Sequence, residues 1–212
     1  MIVVGHSMGA MISRTLMTDS GTKLWNAYYD QPPAATPMPG DTRRFMMDSL
    51  IFRPRRDIAR VIFMSATHRG SNRATGLMGH LGASIIRSST SRQTMGPRAT
   101  GEAEAAALAE QLRRMPSSID VLDPKNTFVT TIDTLPPDPR IPFHSIIGDR
   151  GQGGNKDRTE PVNSDGYVPY WSSHLEGAQS EIVIPSAHWS NHHEQGIAEV
   201  SRILRRHVSG AE

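Results

Sequence analysis

Four short apolar runs, each rich in β-branched residues, constrain the fold of this 212-residue chain more than any other feature. Each run is nearly continuously apolar and ends in turn-forming or polar residues, which is typical of strands buried on both faces of a parallel sheet. Helical patterns separate the runs, and strands that alternate with helices indicate a parallel α/β protein. The four runs are Ile2–Val4, Arg60–Ser65, Phe143–Ile147 and Glu181–Pro185.

Amphipathic patterns predict the helices that pack on this sheet. A helix-compatible stretch at residues 10–18 follows the first run, and a second apolar group lies at residues 45–51. The last pattern keeps apolar residues at i, i+3 and i+4 spacing from Ile197 to Val208, which predicts one buried stripe. The opposite face of this helix would then carry Glu199, Arg202 and Arg205.

The stretch from residue 69 to residue 140 is too long for a simple crossover between two parallel strands. Long insertions of this kind in enzymes are commonly lids or binding loops. We therefore predict a single domain over residues 1–212, in which residues 69–140 form a cap or lid. A proline-rich stretch at residues 30–41 predicts a second, shorter excursion on the surface.

The composition fits a soluble globular protein, with 37% hydrophobic and 21% charged residues and a formal net charge of +2. The arginine-rich pieces are short and dispersed, so we expect no nucleic-acid partner. The chain has no cysteine, which excludes disulfides and thiol catalysis. No apolar run approaches the ~18 residues of a membrane span. There is no basic signal-peptide region either, so we expect a cytoplasmic location if this is the full chain.

Ser7 stands in the sequence GHSMG at residues 5–9, between the first apolar run and the first helical pattern. A strand, a tight turn and a helix would present its hydroxyl at the apex, beside the free N–H groups of a helix N-terminus. We expect Gly5 and Gly9 to be needed because the turn leaves no room for side chains. An ordinary turn with an exposed serine is the alternative, but the flanking patterns favour a nucleophile.

A serine nucleophile needs a histidine base and a carboxylate that orients the histidine. Both partners are expected on loops after later strands, first the acid and then the histidine. The loops after the third run offer two acids, Asp149 and Asp165. The loop after the fourth run offers three histidines, His188, His192 and His193.

Three segments of the chain resemble the nucleophile, acid and base loops of lipase- and carboxylesterase-type α/β-hydrolases. They are GHSMG, SDGYVP at residues 164–169 and PSAH at residues 185–188. The resemblance runs from the first strand to about residue 206. It implies a reduced α/β-hydrolase fold and an esterase or lipase activity on a small-molecule ester or lipid-like acyl substrate, without a cofactor. It also implies a nucleophile at Ser7, an acid at Asp165, a base at His188 and an oxyanion donor at the backbone N–H of Met8.

Two other functions remain open at this stage. A chain of this kind could be a binding or assembly module that has lost efficient catalysis, or it could be a thioesterase or acyltransferase that uses the same serine. Asp149 competes for the acid role, although a salt bridge with Arg150 would also explain it. His192 and His193 compete for the base role, although they could cap the last helix. The histidines lack the glutamate of a helical zinc motif, so we expect no metal.

Several strands precede the nucleophile turn in the α/β-hydrolase family, whereas here the turn begins at the fifth residue. Residues 2–4 would therefore form an exposed apolar sheet edge, and the second oxyanion donor of the family would be missing. The chain could be a fragment, a short protein that completes its sheet by assembly, or a scaffold with weak activity. Because such edges pair with other chains, we predict a homo-oligomer, most simply a two-fold dimer that uses residues 2–4 and the helix after Gly9.

Overall fold

A four-stranded parallel sheet with the order β1-β2-β3-β4 is the centre of the computed structural model, which describes residues 1–71, 122–150 and 164–210. The register pairs Val4 with Ile62, Ile62 with His144, and His144 with Ser180. The strands are β1 (Ile2–His6), β2 (Arg60–Met64), β3 (Phe143–Gly148) and β4 (Ser180–Ile184). All four predicted strands are confirmed, each to within two residues at either end.

Helices occupy the connections between the described strands. Between β1 and β2 lie α1 (Met8–Thr15), α2 (Lys23–Tyr28) and α3 (Gly40–Leu50). The helix α4 (Thr127–Asp133) precedes β3, α5 (Tyr170–Ser173) precedes β4, and a 3₁₀ turn (Ser190–His192) leads into α6 (Glu194–Ser209). The predicted α/β class, with a parallel sheet flanked by helices, is thus confirmed. Most of the predicted lid at residues 69–140 lies outside the described residues and stays a prediction.

Alternating side chains of β2 fill two apolar layers, one on each face of the sheet. Val61 and Phe63 pack with Ala10 and Met17 around α1. The other face brings Ile62 and Met64 against Ile146, Ile184 and Ile203, the last from α6. A third cluster joins α1 to α2, α3 and α4 through Met11, Trp25, Met46 and Val129. Each large side chain buried in these layers contributes about 1.5–3 kcal/mol to the stability of the fold.

The buried face of α6 differs from the predicted stripe. Ile203 is buried as expected, but Ile197 is 52% exposed and Val208 is 85% exposed. Glu199, predicted on the solvent face, is only 9% exposed. Its carboxylate accepts hydrogen bonds from Arg202 and from the Ser180 hydroxyl, which satisfies the charge inside the protein. Polar partners on α6 itself and on β4 therefore satisfy a carboxylate on the face that hydrophobicity alone assigns to solvent.

Two edges bound the described sheet, with β1 at one edge and β4 at the other. Val4 on β1 is 48% exposed, and Val183 on β4 is 43% exposed. All four strands are parallel, so the residues that follow them in the chain lie at the same end of the sheet. Ser7 follows β1 at this end, and Asp149 follows β3. Ligands in open α/β sheets bind at this carboxyl end. None of the described helices has the length and apolarity to cross a membrane.

Candidate active site

Ser7 adopts a strained backbone conformation between β1 and α1. Its φ is 56° and its ψ is −126°, in a region where non-glycine residues are rare and cost roughly 1–3 kcal/mol. Two hydrogen bonds hold it: the Ser7 N–H donates to the Met64 carbonyl, and the Ala10 N–H donates to the Ser7 carbonyl, each at 3.0 Å. This sharp strand-to-helix turn, here called the elbow, thus holds a serine under backbone strain of the kind that collects at functional sites.

The two glycines of the elbow differ in what they do. A Cβ on Gly5 would lie 2.7 Å from Ala10 Cα and 2.8 Å from the Gly9 carbonyl oxygen, so Gly5 allows α1 to pack directly on β1. A Cβ on Gly9 would meet no atom of the described residues within 4 Å. The prediction that the turn needs both glycines is therefore wrong for Gly9 in the part of the chain that the structure describes, where no atom occupies the place of its side chain.

Ser7, His188 and Asp165 form a hydrogen-bonded row. The Ser7 Oγ lies 2.8 Å from His188 Nε2, and His188 Nδ1 lies 2.7 Å from Asp165 Oδ2. Because a carboxylate only accepts hydrogen bonds, Nδ1 carries a hydrogen, and a ring with its single hydrogen there accepts the serine hydroxyl at Nε2. The three side chains are buried, with at most 5% of each residue exposed. The structure thus brings together the serine, acid and histidine named from the sequence.

The loop that carries Asp165 fixes both carboxylate oxygens. Oδ1 accepts the backbone N–H groups of Tyr167 at 2.9 Å and Val168 at 2.7 Å, which leaves Oδ2 for the histidine. A Cβ on Gly148, at the end of β3, would lie 2.9 Å from Asp165 Cβ and 2.9 Å from the Ser186 carbonyl oxygen. The lack of a side chain at Gly148 therefore lets the acid loop lie against the loop that carries the histidine.

The competing residues have other places. Asp149 follows β3 directly, is buried, and donates its backbone N–H to the Ile184 carbonyl, but the Nδ1 hydrogen of His188 goes to Asp165. His192 ends the 3₁₀ turn and stacks on the Trp189 ring. His193 is the N-cap of α6, where its Nδ1 accepts the Gln195 N–H at 3.3 Å. This capping role is the alternative that the sequence suggested for it.

His6 is a residue of the site that sequence reasoning missed. Its Nε2 donates to the His188 carbonyl at 2.7 Å, and its ring stacks on Trp189 with centroids 5.7 Å apart. Burial, as the largest cause, lowers the pKa of His6, and the carbonyl acceptor fixes a hydrogen on Nε2. His6 occupies a variable position of the Gly-x-Ser-x-Gly pattern, so the motif itself gives no signal for this role.

Met8 begins α1, directly after the nucleophile position. The first N–H groups of a helix have no acceptor within the helix, so the Met8 N–H can serve an external oxygen. The N–H of Ser7 cannot, because it donates to the Met64 carbonyl. Among the described residues no group of three or more histidine, cysteine, aspartate or glutamate side chains could hold a metal ion.

Comparisons with known proteins leave the family open. No protein-family model matches the chain, and a search of curated proteins found no match. Among solved structures, the crystal structure of Staphylococcus hyicus lipase matches with 13% sequence identity and a TM-score of 0.44. The match covers 89% of this chain and 62% of that chain, so it spans less than two thirds of the lipase.

Proposed function

We propose that this protein is a serine hydrolase of the α/β-hydrolase type that cleaves carboxylic esters through an acyl-serine intermediate. The observation that carries this function is the buried row of Ser7, His188 and Asp165, with hydrogen bonds of 2.8 and 2.7 Å. A hydroxyl, an imidazole and a carboxylate in this order are the groups that nucleophilic acyl transfer requires. The strained backbone of Ser7 adds independent support, since such strain collects at functional sites.

The first half of the reaction forms the acyl-enzyme. Ser7 Oγ attacks the ester carbonyl carbon while His188 Nε2 takes its proton, and Asp165 stabilises the imidazolium that results. The Met8 N–H donates to the oxyanion of the tetrahedral intermediate. One such donor is worth about 2.7–4 kcal/mol of transition-state stabilisation. Collapse of the intermediate breaks the bond to the alcohol, which leaves with the proton that His188 returns.

The second half releases the acid. A water molecule loses a proton to His188 Nε2 and attacks the acyl carbon, which forms a second tetrahedral intermediate. Its collapse breaks the bond to Ser7 Oγ, and His188 returns the proton to that oxygen. The products are a carboxylic acid and the free enzyme. Throughout, His6 holds the His188 carbonyl, so the base keeps its position while its ring changes charge.

A hydrophobic acyl group is the substrate class that suits the surroundings of the histidine. Tyr167 meets the His188 ring edge-on at 5.6 Å, and Trp189 does so at 5.9 Å. Trp189 is 43% exposed, which leaves an aromatic surface beside the reacting atoms. Aromatic rings of this kind bind apolar chains by burying their area.

Hydrolysis of a series of p-nitrophenyl esters with acyl chains of increasing length tests this function. The protein should release p-nitrophenol with a preference for longer chains, and Ser7→Ala should abolish turnover. Ser13→Ala is the matched control, because Ser13 is also buried on the flank of the elbow but donates to the Gly9 carbonyl. Equal activity of Ser7→Ala and the parent protein would overturn the assignment of the nucleophile.

The same measurements separate the alternative functions. A thioesterase or acyltransferase would acylate Ser7 too, but it would favour thioester substrates or pass the acyl group to an added alcohol. Analysis of the products with and without an alcohol acceptor distinguishes these from an esterase. A binding or assembly module would give no turnover with any ester, although it would stay folded.

We also propose that the protein forms a homo-oligomer through β1. Among the described strands β1 has β2 on one side only, while Val4 is 48% and Ile12 is 59% exposed. An apolar strand edge pairs readily with a second copy of the same strand. Val4→Lys should therefore give monomers in sedimentation experiments, whereas Val183→Lys on the other edge should not. If both variants sediment as the parent protein does, β1 is not the interface.

A further inference from the structure

A second strained serine lies directly after β2. Of the described residues other than glycine, two have a positive φ, namely Ser7 and Ser65, and the φ of Ser65 is 44°. Ser65 is fully buried. Backbone strain of this kind persists only where the surrounding contacts enforce it, and it collects at functional sites. None of the reaction steps above uses Ser65, so its strain points to a role that they leave out.

The peptide unit between Met64 and Ser65 joins the elbow to the middle of the sheet. Its carbonyl, on Met64, accepts the Ser7 N–H at 3.0 Å. Its N–H, on Ser65, donates to the Ile146 carbonyl of β3 at 2.9 Å. Both polar groups of the unit are therefore bonded, which fixes its orientation. The backbone position of Ser65 is thus coupled directly to that of the nucleophile.

The side chain of Ser65 contacts the turn that follows the base. Ser65 Oγ lies 2.8 Å from Ser190 Oγ, and both serines are fully buried. Ser190 begins the 3₁₀ turn and is only two residues after His188. One hydrogen bond between two buried hydroxyls therefore connects the end of β2 to the chain segment that carries the base.

The helix α6 contacts the same turn through a close approach of the backbone. A Cβ on Gly196 would lie 2.1 Å from the Ser190 carbonyl oxygen, so the helix and the turn touch directly at this point. Ser190 is thus held both by the end of β2 and by α6. A small displacement of this turn would move the base, and misplacement of a reacting group by about 1 Å can cost as much as 10²-fold in rate.

We propose that Ser65 is a positioning residue for the base. Its strained backbone directs the hydroxyl to Ser190, and this contact ties the turn after His188 to the strand end that also accepts the Ser7 N–H. The role rests on the proposed hydrolase function. The 2.8 Å distance from Ser7 Oγ to His188 Nε2 is then maintained partly by a hydrogen bond that neither reacting side chain makes.

Ester hydrolysis by Ser65→Ala and Ser190→Ala tests this role from both sides of the hydrogen bond. Each variant should lower kcat about tenfold and change KM by less than about twofold, because two buried serines hold the base and do not touch the substrate. The double variant should be no slower than the slower single variant, because both changes remove the same hydrogen bond. If Ser65→Ala does not fold, Ser190→Ala still removes this bond.

Ser20→Ala is the matched control. Ser20 is also buried, and its hydroxyl donates to the Leu50 carbonyl at 3.0 Å, outside the site. This variant should lose stability but keep the kcat of the parent protein. If Ser20→Ala slows hydrolysis as much as Ser65→Ala does, the effect is one of general stability and the positioning role is refuted.

Proton NMR gives a second readout that needs no turnover. The hydrogen between His188 Nδ1 and Asp165 Oδ2 spans 2.7 Å and should exchange with water about tenfold faster in Ser65→Ala, because the turn opens more often. Exchange as slow as in the parent protein refutes the role of Ser65, and it leaves the hydrolase function standing if the parent hydrolyses esters. A parent protein that hydrolyses no ester refutes that function instead, and the exchange rates then decide whether Ser65 holds the histidine.

Discussion

The substitution Asp165→Asn should abolish most of the activity without unfolding the protein. Asp165 Oδ1 accepts two backbone N–H groups, from Tyr167 at 2.9 Å and Val168 at 2.7 Å. An asparagine must keep its oxygen on those two donors, because its NH₂ group cannot accept them. The NH₂ group then faces His188 Nδ1, where the carboxylate oxygen lies 2.7 Å away in the parent protein.

This exchange forces the wrong tautomer on His188. With a donor opposite Nδ1, the ring must accept there and carry its hydrogen on Nε2, the atom that lies 2.8 Å from Ser7 Oγ. Such a ring donates to the serine and cannot take its proton. The same change in a serine protease lowers kcat by about 10⁴, which corresponds to about 5.5 kcal/mol in the activation free energy. We expect a loss of this size here.

Initial rates of ester hydrolysis, with circular dichroism as a check on folding, measure the effect. The Michaelis constant should change little, because the acid does not contact the substrate. Asp149→Asn is the matched control: it removes the other buried aspartate near the carboxyl ends of the strands, and its cost should stay under about tenfold in rate. If Asp149→Asn is the more damaging of the two in a folded protein, the reasoning fails and the acid is Asp149.

Three further predictions concern the supports of the site and the buried ring of His144. Gly5→Ala should lower the midpoint of thermal unfolding strongly, because the added Cβ would meet the backbone of α1. Gly9→Ala should shift this midpoint by less than about 2 °C. Equal shifts for the two variants would contradict the geometry. His6→Phe should lower kcat about tenfold with little change in KM, because it removes the hydrogen bond to the His188 carbonyl. His6→Gln, whose amide can donate to the same carbonyl, should restore much of the rate. If His6→Gln restores no activity, the result argues against a role for this hydrogen bond. The pKa of His144 is about 4 in the folded protein and near 6.5 when unfolded, so the unfolded chain takes up the proton first and stability should fall as the pH falls through this window. The urea midpoint should fall less steeply with decreasing pH in His144→Gln than in the parent protein. An identical fall in both proteins would contradict a buried neutral ring.

The strands and the order of the site residues could be predicted because each leaves a local mark in the sequence. Runs such as residues 60–65 and 143–147 are apolar on both faces, and this pattern identifies a strand buried between two helical layers. The GHSMG turn follows the first of those strands directly, the loop with His188 follows the fourth directly, and Asp165 lies further along the connection after the third. Parallel strands then bring the loops to one end of the sheet without any further information.

The rest depends on contacts between distant parts of the chain. Glu199 is buried because Ser180 and Arg202 satisfy its carboxylate, so hydrophobic periodicity alone assigns it to the wrong face of α6. Gly148 is needed only because the Asp165 loop folds against it, a contact that depends on the tertiary fold. A cavity at the amino ends of the strands likewise joins Arg60 to Arg206, and no local pattern links these residues.

Labelling by a fluorophosphonate tests the central claim most directly, because this reagent reacts only with a serine that is activated as a nucleophile. Trypsin should release residues 1–14 as one peptide, which holds both Ser7 and Ser13. We predict that the label is found on Ser7 by fragmentation of this peptide, that Ser13→Ala still labels, and that Ser7→Ala and heat-denatured protein do not. A folded protein that does not label, or that labels equally after Ser7→Ala, would contradict the assignment of Ser7 as an activated nucleophile.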